Sequence, residues 1–256
     1  MRTVIKIGTS TLTHKSGRVN LRRIETLCKI VSDLMNSGEE IILVSSGAIG
    51  MGVGKLRLGE RPHDIAAKQA CAAVGQCELM YTYDKLFSEY SHTVAQILLT
   101  APDLSCDDRR EKFVSTTEKL LSFGALPIIN ENDTVATEEI EFGDNDTLAA
   151  RIAACVGVDM LILLSDIDGL YSADPRKDPG AILIPEVREI TPDILALAGE
   201  AGSSLGTGGM ETKLRAAKIS TDAGCDMIIS NGAMPENLYD IVAGKQVGTR
   251  FFSKKR

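Results

Sequence analysis

From one end of the chain to the other, short apolar runs alternate with segments whose apolar residues recur at helical spacing. That order constrains the fold more than any other feature, because it is the pattern of βαβ units stacked into a mostly parallel sheet with helices over its faces. The first run is Thr3-Val4-Ile5-Lys6-Ile7-Gly8. Leu21, Ile24, Leu27, Cys28, Val31, Leu34 and Met35 then repeat at helical spacing until Ser37-Gly38, where a C-cap glycine belongs. Residues 40–44 form the second run and open into a glycine-rich turn, Ser45-Ser46-Gly47-Ala48-Ile49-Gly50-Met51-Gly52. The pattern continues with a helix from about Pro62 to Tyr90, a strand near 93–99, a helix near 107–123 and a strand at 125–129. Residues 134–142 alternate polar and β-branched side chains, as a small hairpin does, and 147–156 reads as a helix. A buried strand at 159–164, helices at 191–198, 212–223 and 235–242, and short strands at 227–229 and 249–252 complete the reading. The expectation is an α/β protein, a three-layer α/β/α sandwich with a mainly parallel central sheet, forming a single domain over residues 1–256.

Composition narrows what such a domain meets. Lys+Arg 28 against Asp+Glu 35 gives a net charge of -7, a field that repels phosphate backbones and anionic lipid, so neither nucleic acid nor a membrane is an expected partner. Six cysteines lie scattered, with no C-x-x-C and no clustering around His14, His63 or His92, which argues against a zinc site or a disulfide framework. They read as buried thiols in a reducing cytoplasm. No long apolar run appears, so neither export nor a membrane span is expected.

Chemistry in a parallel sheet gathers where strands end and helix N-termini converge. Four segments there are unusual. The turn at Ser45–Gly52 carries glycines close enough for backbone N–H groups to face an anion, yet it is neither a G-x-x-x-x-G-K-[ST] loop nor a G-x-G-x-x-G. A second glycine loop, Gly206-Thr207-Gly208-Gly209-Met210-Glu211-Thr212-Lys213, feeds a helix. A lysine in a helix's first turn opposes the dipole unless a bound anion reverses the balance. Lys6 interrupts an otherwise apolar strand, so its ammonium either protects a sheet edge or meets an anion at the strand's end. The fourth segment is an acid-amide cluster: Asn130-Glu131-Asn132-Asp133 directly after a strand, and Gly143-Asp144-Asn145-Asp146 directly before a helix. One of Asp144, Asn145 and Asp146 serves as an N-cap; the remaining density of carboxylates and amides suits a small zwitterion.

With these blocks in view, the chain resembles the amino acid kinase family. The likeness is carried by Val4–Ser10, Val44–Ile49, Ile128–Asp133, Gly143–Asp146, the stretch Asp168-Gly169-Leu170-Tyr171-Ser172-Ala173-Asp174-Pro175-Arg176, and Gly206–Lys213, which stand in family order. NEND, GDND and GTGGMxTK together resemble the branch that phosphorylates the side-chain carboxylate of free glutamate. That likeness implies transfer of the ATP γ-phosphoryl group to the γ-carboxylate of L-glutamate with Mg²⁺, opening proline synthesis. It implies that Lys6 and Lys213 flank the migrating group, that Asp146 positions both, and that Ser46, Asp133 and Asn145 hold glutamate. By the same likeness Ser165 and Asp166, with Thr207, Gly208, Gly209, Met210, Glu211, Thr212, Lys213 and also Lys6, hold the nucleotide. Gln96 is a further match for the glutamate pocket, and Asp146 and Asp166 could touch the shell of the Mg²⁺. The implied division is a glutamate-binding part, about 1–157, and a nucleotide-binding part, about 158–256. Proline as a feedback inhibitor, a homo-oligomer and a cytoplasmic location are implied too. Ser165 departs from the threonine more usual in the family, keeping the hydroxyl. Longer members continue into a C-terminal PUA-type domain associated with RNA binding, which is expected to be absent here, where the text stops soon after Thr249–Phe252. The alternatives are a sister kinase acting on acetylglutamate or aspartate, and a non-catalytic amino-acid or nucleotide sensor. Asp133 beside Glu131 favours an acceptor with a free ammonium, and the presence of both lysines favours catalysis.

Overall fold

The computed structural model describes residues 1–14, 18–135, 145–199 and 209–254. Its strands are β1 (Arg2–Ile7), β2 (Glu40–Val44), β3 (Val94–Leu99), β4 (Leu126–Glu131), β5 (Met160–Ser165), β6 (Glu186–Val187), β7 (Asp226–Asn231) and β8 (Thr249–Phe251). They form one 8-stranded sheet in the order β3-β4-β2-β1-β5-β7-β8-β6. Among these strands each pairing is parallel except that of β7 with β8. The three-layer, mainly parallel architecture expected from the sequence is what forms.

The helices are α1 (Thr9–Leu12), α2 (Leu21–Asn36), α3 (Ala48–Lys55), α4 (Ile65–Ser88), α5 (Ala101–Ser105), α6 (Asp107–Ser122), α7 (Asn145–Val156), α8 (Pro192–Gly199), α9 (Met210–Asp222) and α10 (Asn237–Val242). Strand residues alternate between the faces, so β1 sends Val4 into one core and Ile5 and Ile7 into the other. The Val4 core is completed by α6, α7 and α9 through residues such as Phe113, Ala149, Ile152, Leu214 and Ala217. The Ile5 core is completed by α2, α4 and α10 through Ile24, Leu27, Leu79, Tyr83, Phe87 and Leu238. Among the described residues no helix is long and apolar enough to cross a membrane.

Several expected boundaries move. β4 runs through Asn130 and Glu131, because β3 continues alongside it and pairs Leu98 with Asn130 and Leu99 with Glu131. These two residues therefore lie in the strand, not after it. α7 starts at Asn145 and α9 at Met210, each two residues earlier than the apolar spacing indicates, which puts Asn145 and Asp146 inside a first turn. The glycine-rich segment after β2 is mostly helix: Gly50, Gly52 and Gly54 lie within α3, and the N–H groups of Gly52 and Gly54 fall past its first turn, where the helix itself uses them. β1 is central, with β2 on one side and β5 on the other, so Lys6 guards no edge. Cys28, Cys71 and Cys225 are buried, whereas Cys77 and Cys106 are exposed and Cys155 is intermediate, so burial accounts for half of the thiols. The hairpin expected at 134–142 falls largely outside the described residues, as do Gly143, Asp144, Gly206, Thr207 and Gly208.

Candidate active site

Lys6 follows Val4 on the same face of β1 and points toward α7 and α9. In α7 the buried stripe Ala149, Ala150, Ala153 and Val156 has Asp146 at its head, and Asp146 is 1% exposed. In α9 the stripe of Met210, Leu214, Ala217 and Thr221 carries Lys213 with it, and Lys213 is 5% exposed. Helical periodicity thus turns charged side chains inward at two helix starts, beside the end of the strand bearing a third. They meet: Lys6 Nζ lies 2.6 Å from Asp146 Oδ1, and Lys213 Nζ lies 3.1 Å from Asp146 Oδ2. Thr212 Oγ1 donates to the Gly209 carbonyl at 2.7 Å and sits 3.5 Å from Asp146 Oδ2.

One buried carboxylate between two ammonium groups is an ionic cluster of net charge +1 before any ligand arrives. Burial pushes the Asp146 carboxyl up, but Lys6 and Lys213 outweigh it and hold it below the ordinary carboxylate range. The arrangement holds both cations on one carboxylate, aimed at one place.

A second group lies beside the first. Asn145 Nδ2 donates toward the Ser45 carbonyl at 2.7 Å, Ser46 Oγ at 2.8 Å and Asn130 Oδ1 at 3.1 Å. Two amide hydrogens share three acceptors, so the carboxamide ties the end of β2, the end of β4 and the start of α7 together. The chain turns out of β2 through Gly47, whose φ of 92° is left-handed, and this lets α3 begin immediately behind Ser46. Ser45 is anchored below by Tyr83, its Oγ 3.0 Å from the buried phenol oxygen. Asp133, past the end of β4, is largely desolvated; burial pushes its carboxyl up to about 6 even though the charge of Arg61 pulls it down.

Ser165 ends β5, two strands from β2, and its Oγ donates to Asp166 Oδ1 at 3.2 Å. Asp166 also pairs with Arg176 at 2.8 Å. Just beyond, Asp168 accepts from Asn231 Nδ2 at 2.7 Å and from the Tyr171 hydroxyl at 3.0 Å, so the loop after β5 is tied to the end of β7. In α9 Met210 is buried and Glu211 pairs with Arg215 at 3.3 Å.

Of the residues singled out from sequence, the structure brings Lys6, Asp146 and Lys213 into one cluster and Ser46 and Asn145 into the neighbouring one. Among the described residues Asp133 makes no hydrogen bond to Ser46 or Asn145, and Ser165 and Asp166 stand apart from the lysines with partners of their own. Gln96 is exposed on the edge strand β3, paired in register with Ile128. Sequence reasoning left unused Asn130, which bridges to Asn145, and Gln76, which bridges to Asn130. The density of polar residues at 130–133 pointed to the first, whereas no local signal marks the second.

Among the described residues no three His, Cys, Asp or Glu side chains converge to hold a metal ion. Asp146 and Asp166 are each taken up by cations of the protein itself. The donor set fits no protein-built cage for Mg²⁺, which suits a cation that keeps its waters and binds mainly through substrate phosphates.

Comparison with known proteins fits this layout. Residues 1–231 match the Amino acid kinase family. Glutamate 5-kinase of Clostridium perfringens is 54% identical over 258 residues, covering 99% of this chain and 96% of that protein. Glutamate 5-kinase of Carboxydothermus hydrogenoformans is 53% identical over 256 residues, covering 100% of this chain and 68% of that longer protein. Among solved structures, carbamate kinase from Giardia lamblia bound to AMP-PNP aligns with a TM-score of 0.70 at 16% identity, covering 99% of this chain and 98% of that one. Isopentenyl phosphate kinase from T. acidophilum aligns with a TM-score of 0.66 at 18% identity, covering 98% of this chain and 100% of that one, a likeness of fold alone. With its sheet, its charged cluster and its sequence all in agreement, the chain belongs to the amino acid kinase family.

Proposed function

We infer that the protein transfers the γ-phosphoryl group of ATP to the γ-carboxylate of L-glutamate, giving L-glutamyl 5-phosphate and ADP. The observation that carries this reading is the meeting of Lys6 and Lys213 on Asp146, next to the amide network that joins the ends of β2 and β4. Relatives named glutamate 5-kinase, more than half identical over nearly the whole chain, support it.

The acceptor is a carboxylate, already ionised at neutral pH, so the reaction needs no general base; histidine is accordingly absent from the cluster. Phosphoryl transfer asks for in-line positioning and for cations where charge shifts between donor and acceptor oxygens. Lys6 and Lys213 meet that need, one carried by the sheet and the other by α9. Asp146 keeps them apart and oriented. Ser46 and Asn145 hold glutamate by hydrogen bonds, while Asp133 receives its ammonium. Ser165, Asp166 and the residues from Thr207 to Lys213 hold the nucleotide. When bound with ATP, Mg²⁺ would spread the charge of the polyphosphate. In this division residues up to about 157 serve the acceptor and those from about 158 the nucleotide, across one continuous sheet. The reading extends to proline as an inhibitor competing for the glutamate pocket, to a homo-oligomer and to a cytoplasmic location; activity against glutamate with and without proline tests the first.

The decisive experiment is ADP release with glutamate, aspartate, acetylglutamate and UMP offered separately. Glutamate alone should support turnover. Faster release with any other acceptor would reassign the pocket, and no release with any of them would favour a sensor.

A further inference from the structure

The amide network beside Ser46 includes a polar side chain that enters from α4, the helix that also carries Tyr83. Gln76 is 9% exposed, and its Oε1 accepts from Asn130 Nδ2 at 2.9 Å. Asn130, 2% exposed, in turn accepts from Asn145 Nδ2 through its Oδ1, and Asn145 reaches Ser46. The chain of amides has a direction. If Asn130 turned over, its nitrogen would face the nitrogen of Asn145, donor against donor, and its oxygen would face the oxygen of Gln76. An acceptor oxygen at residue 76 therefore selects which way Asn130 lies.

Gln76 also has a feature that packing would not select. Its Nε2 is buried without a hydrogen-bond partner. A methionine or leucine would fill similar space with no orphaned donor. What glutamine adds over either is the oxygen on Asn130. Its placement is equally specific: α4 reaches the pocket because Gly75 presses directly on the Ala48 carbonyl of α3, where an added Cβ would lie 1.7 Å from that oxygen.

We propose that Gln76 is a positioning residue of the acceptor pocket, fixing the amide orientation of Asn130 and, through it, that of Asn145 against Ser46. This rests on the reading of that pocket as the glutamate site. Gln76 touches no reacting atom; its effect falls on acceptor binding and leaves nucleotide binding alone.

The test measures KM for glutamate, KM for ATP, kcat and thermal midpoint for Gln76→Leu, with Gln76→Met as a second variant closer in shape. The expected result is a KM for glutamate raised about tenfold, with KM for ATP and kcat within about twofold and the midpoint unchanged or higher. In an Asn130→Ala background, Gln76→Leu should add less than about twofold, because its route of action is already gone. An unchanged KM for glutamate, effects that multiply in the double variant, or a parallel fall of both substrates' affinities with the midpoint would overturn the proposal. If the unaltered chain turns over a different acceptor, the glutamate reading fails first. The same variants measured with that acceptor then decide the role of Gln76 separately.

Discussion

Lys6 and Lys213 share one carboxylate, yet they come to it differently, one from a β-strand and one from a helix. Loss of either should therefore leave the other in place and still remove most of the transition-state stabilisation. For Lys6→Ala or Lys213→Ala the expected fall in kcat is about 10²–10³, as for the loss of one donor to a developing charge. Steady-state kinetics at saturating ATP and glutamate check this, and full turnover in either variant would remove that lysine from the mechanism. Asp133 makes the opposite kind of prediction. Its folded pKa, about 6, lies above the unfolded value near 3.9, so the folded state binds a proton that the unfolded state releases. Its contribution to stability is thus present below about pH 4 and lost as pH rises through 6. Asp133→Asn should raise the thermal midpoint at pH 8 while weakening glutamate. In the parent protein, KM for glutamate should climb as pH falls below 6, with KM for ATP following a different profile.

The crossing of α3 and α4 shows how two elements set up a pocket without supplying most of its side chains. A Cβ on Gly52 would lie 1.9 Å from the Cys71 carbonyl, and one on Gly75 would lie 1.7 Å from the Ala48 carbonyl. Replacing a helical glycine by alanine ordinarily gains about 0.5–1 kcal/mol. Here backbone would have to separate, and overpacking of this kind costs about 1–3 kcal/mol or more. Gly75→Ala should lower stability in urea and raise KM for glutamate together, since Gln76 and Ser46 move with the helices. The sequence displays the glycines plainly but not their use. Read locally, Gly50 and Gly52 suggest an anion-binding turn, whereas the role of Gly52 depends on α4 lying against it, some twenty positions further along the chain. Lys6 was legible because a charge inside an apolar strand is conspicuous, Lys213 because a cation opposes the dipole at a helix start, and Asp146 as one of a dense acid-amide group; the family likeness joined the three. Asn130 was half legible and Gln76 not at all, since an amide on a long helix looks the same whether it faces water or another amide. The early starts of α7 and α9 were hidden because Asn145-Asp146 and Glu211 do not continue the apolar spacing of the helices they open.

Across the whole molecule, buried carboxylates make the fold sensitive to acid. Asp226, 3% exposed, accepts from the Arg250 guanidinium at 2.7 Å and from the Ser253 amide at 2.9 Å, tying β7 to the residues around β8. Burial pushes its carboxyl up, and these hydrogen bonds and the arginine charge overcome that, leaving it below the ordinary range, as the lysines do for Asp146. Both groups therefore add stability that is in place above about pH 4 and is lost as pH falls through their lower folded values. Urea midpoints measured between pH 7 and pH 3 should fall, and Asp226→Asn should lower the unfolding free energy at pH 7 by about 1.5–3 kcal/mol while flattening the acid slope. An equal slope in the variant would remove Asp226 from the account.

The first strand sits in the middle of the sheet, and Thr3 finds its partner in Met160. During synthesis β1 leaves the ribosome ahead of the other seven strands, yet one of its two edges waits, apolar and unpaired, until β5, from Met160 onward, has followed. Closure of that long loop puts folding among the slow, non-local class, in which transient exposure invites aggregation. Lys6, to which the proposed mechanism gives a role, rides on that same waiting strand. No fragment ending before β5 can complete the pairing of that strand.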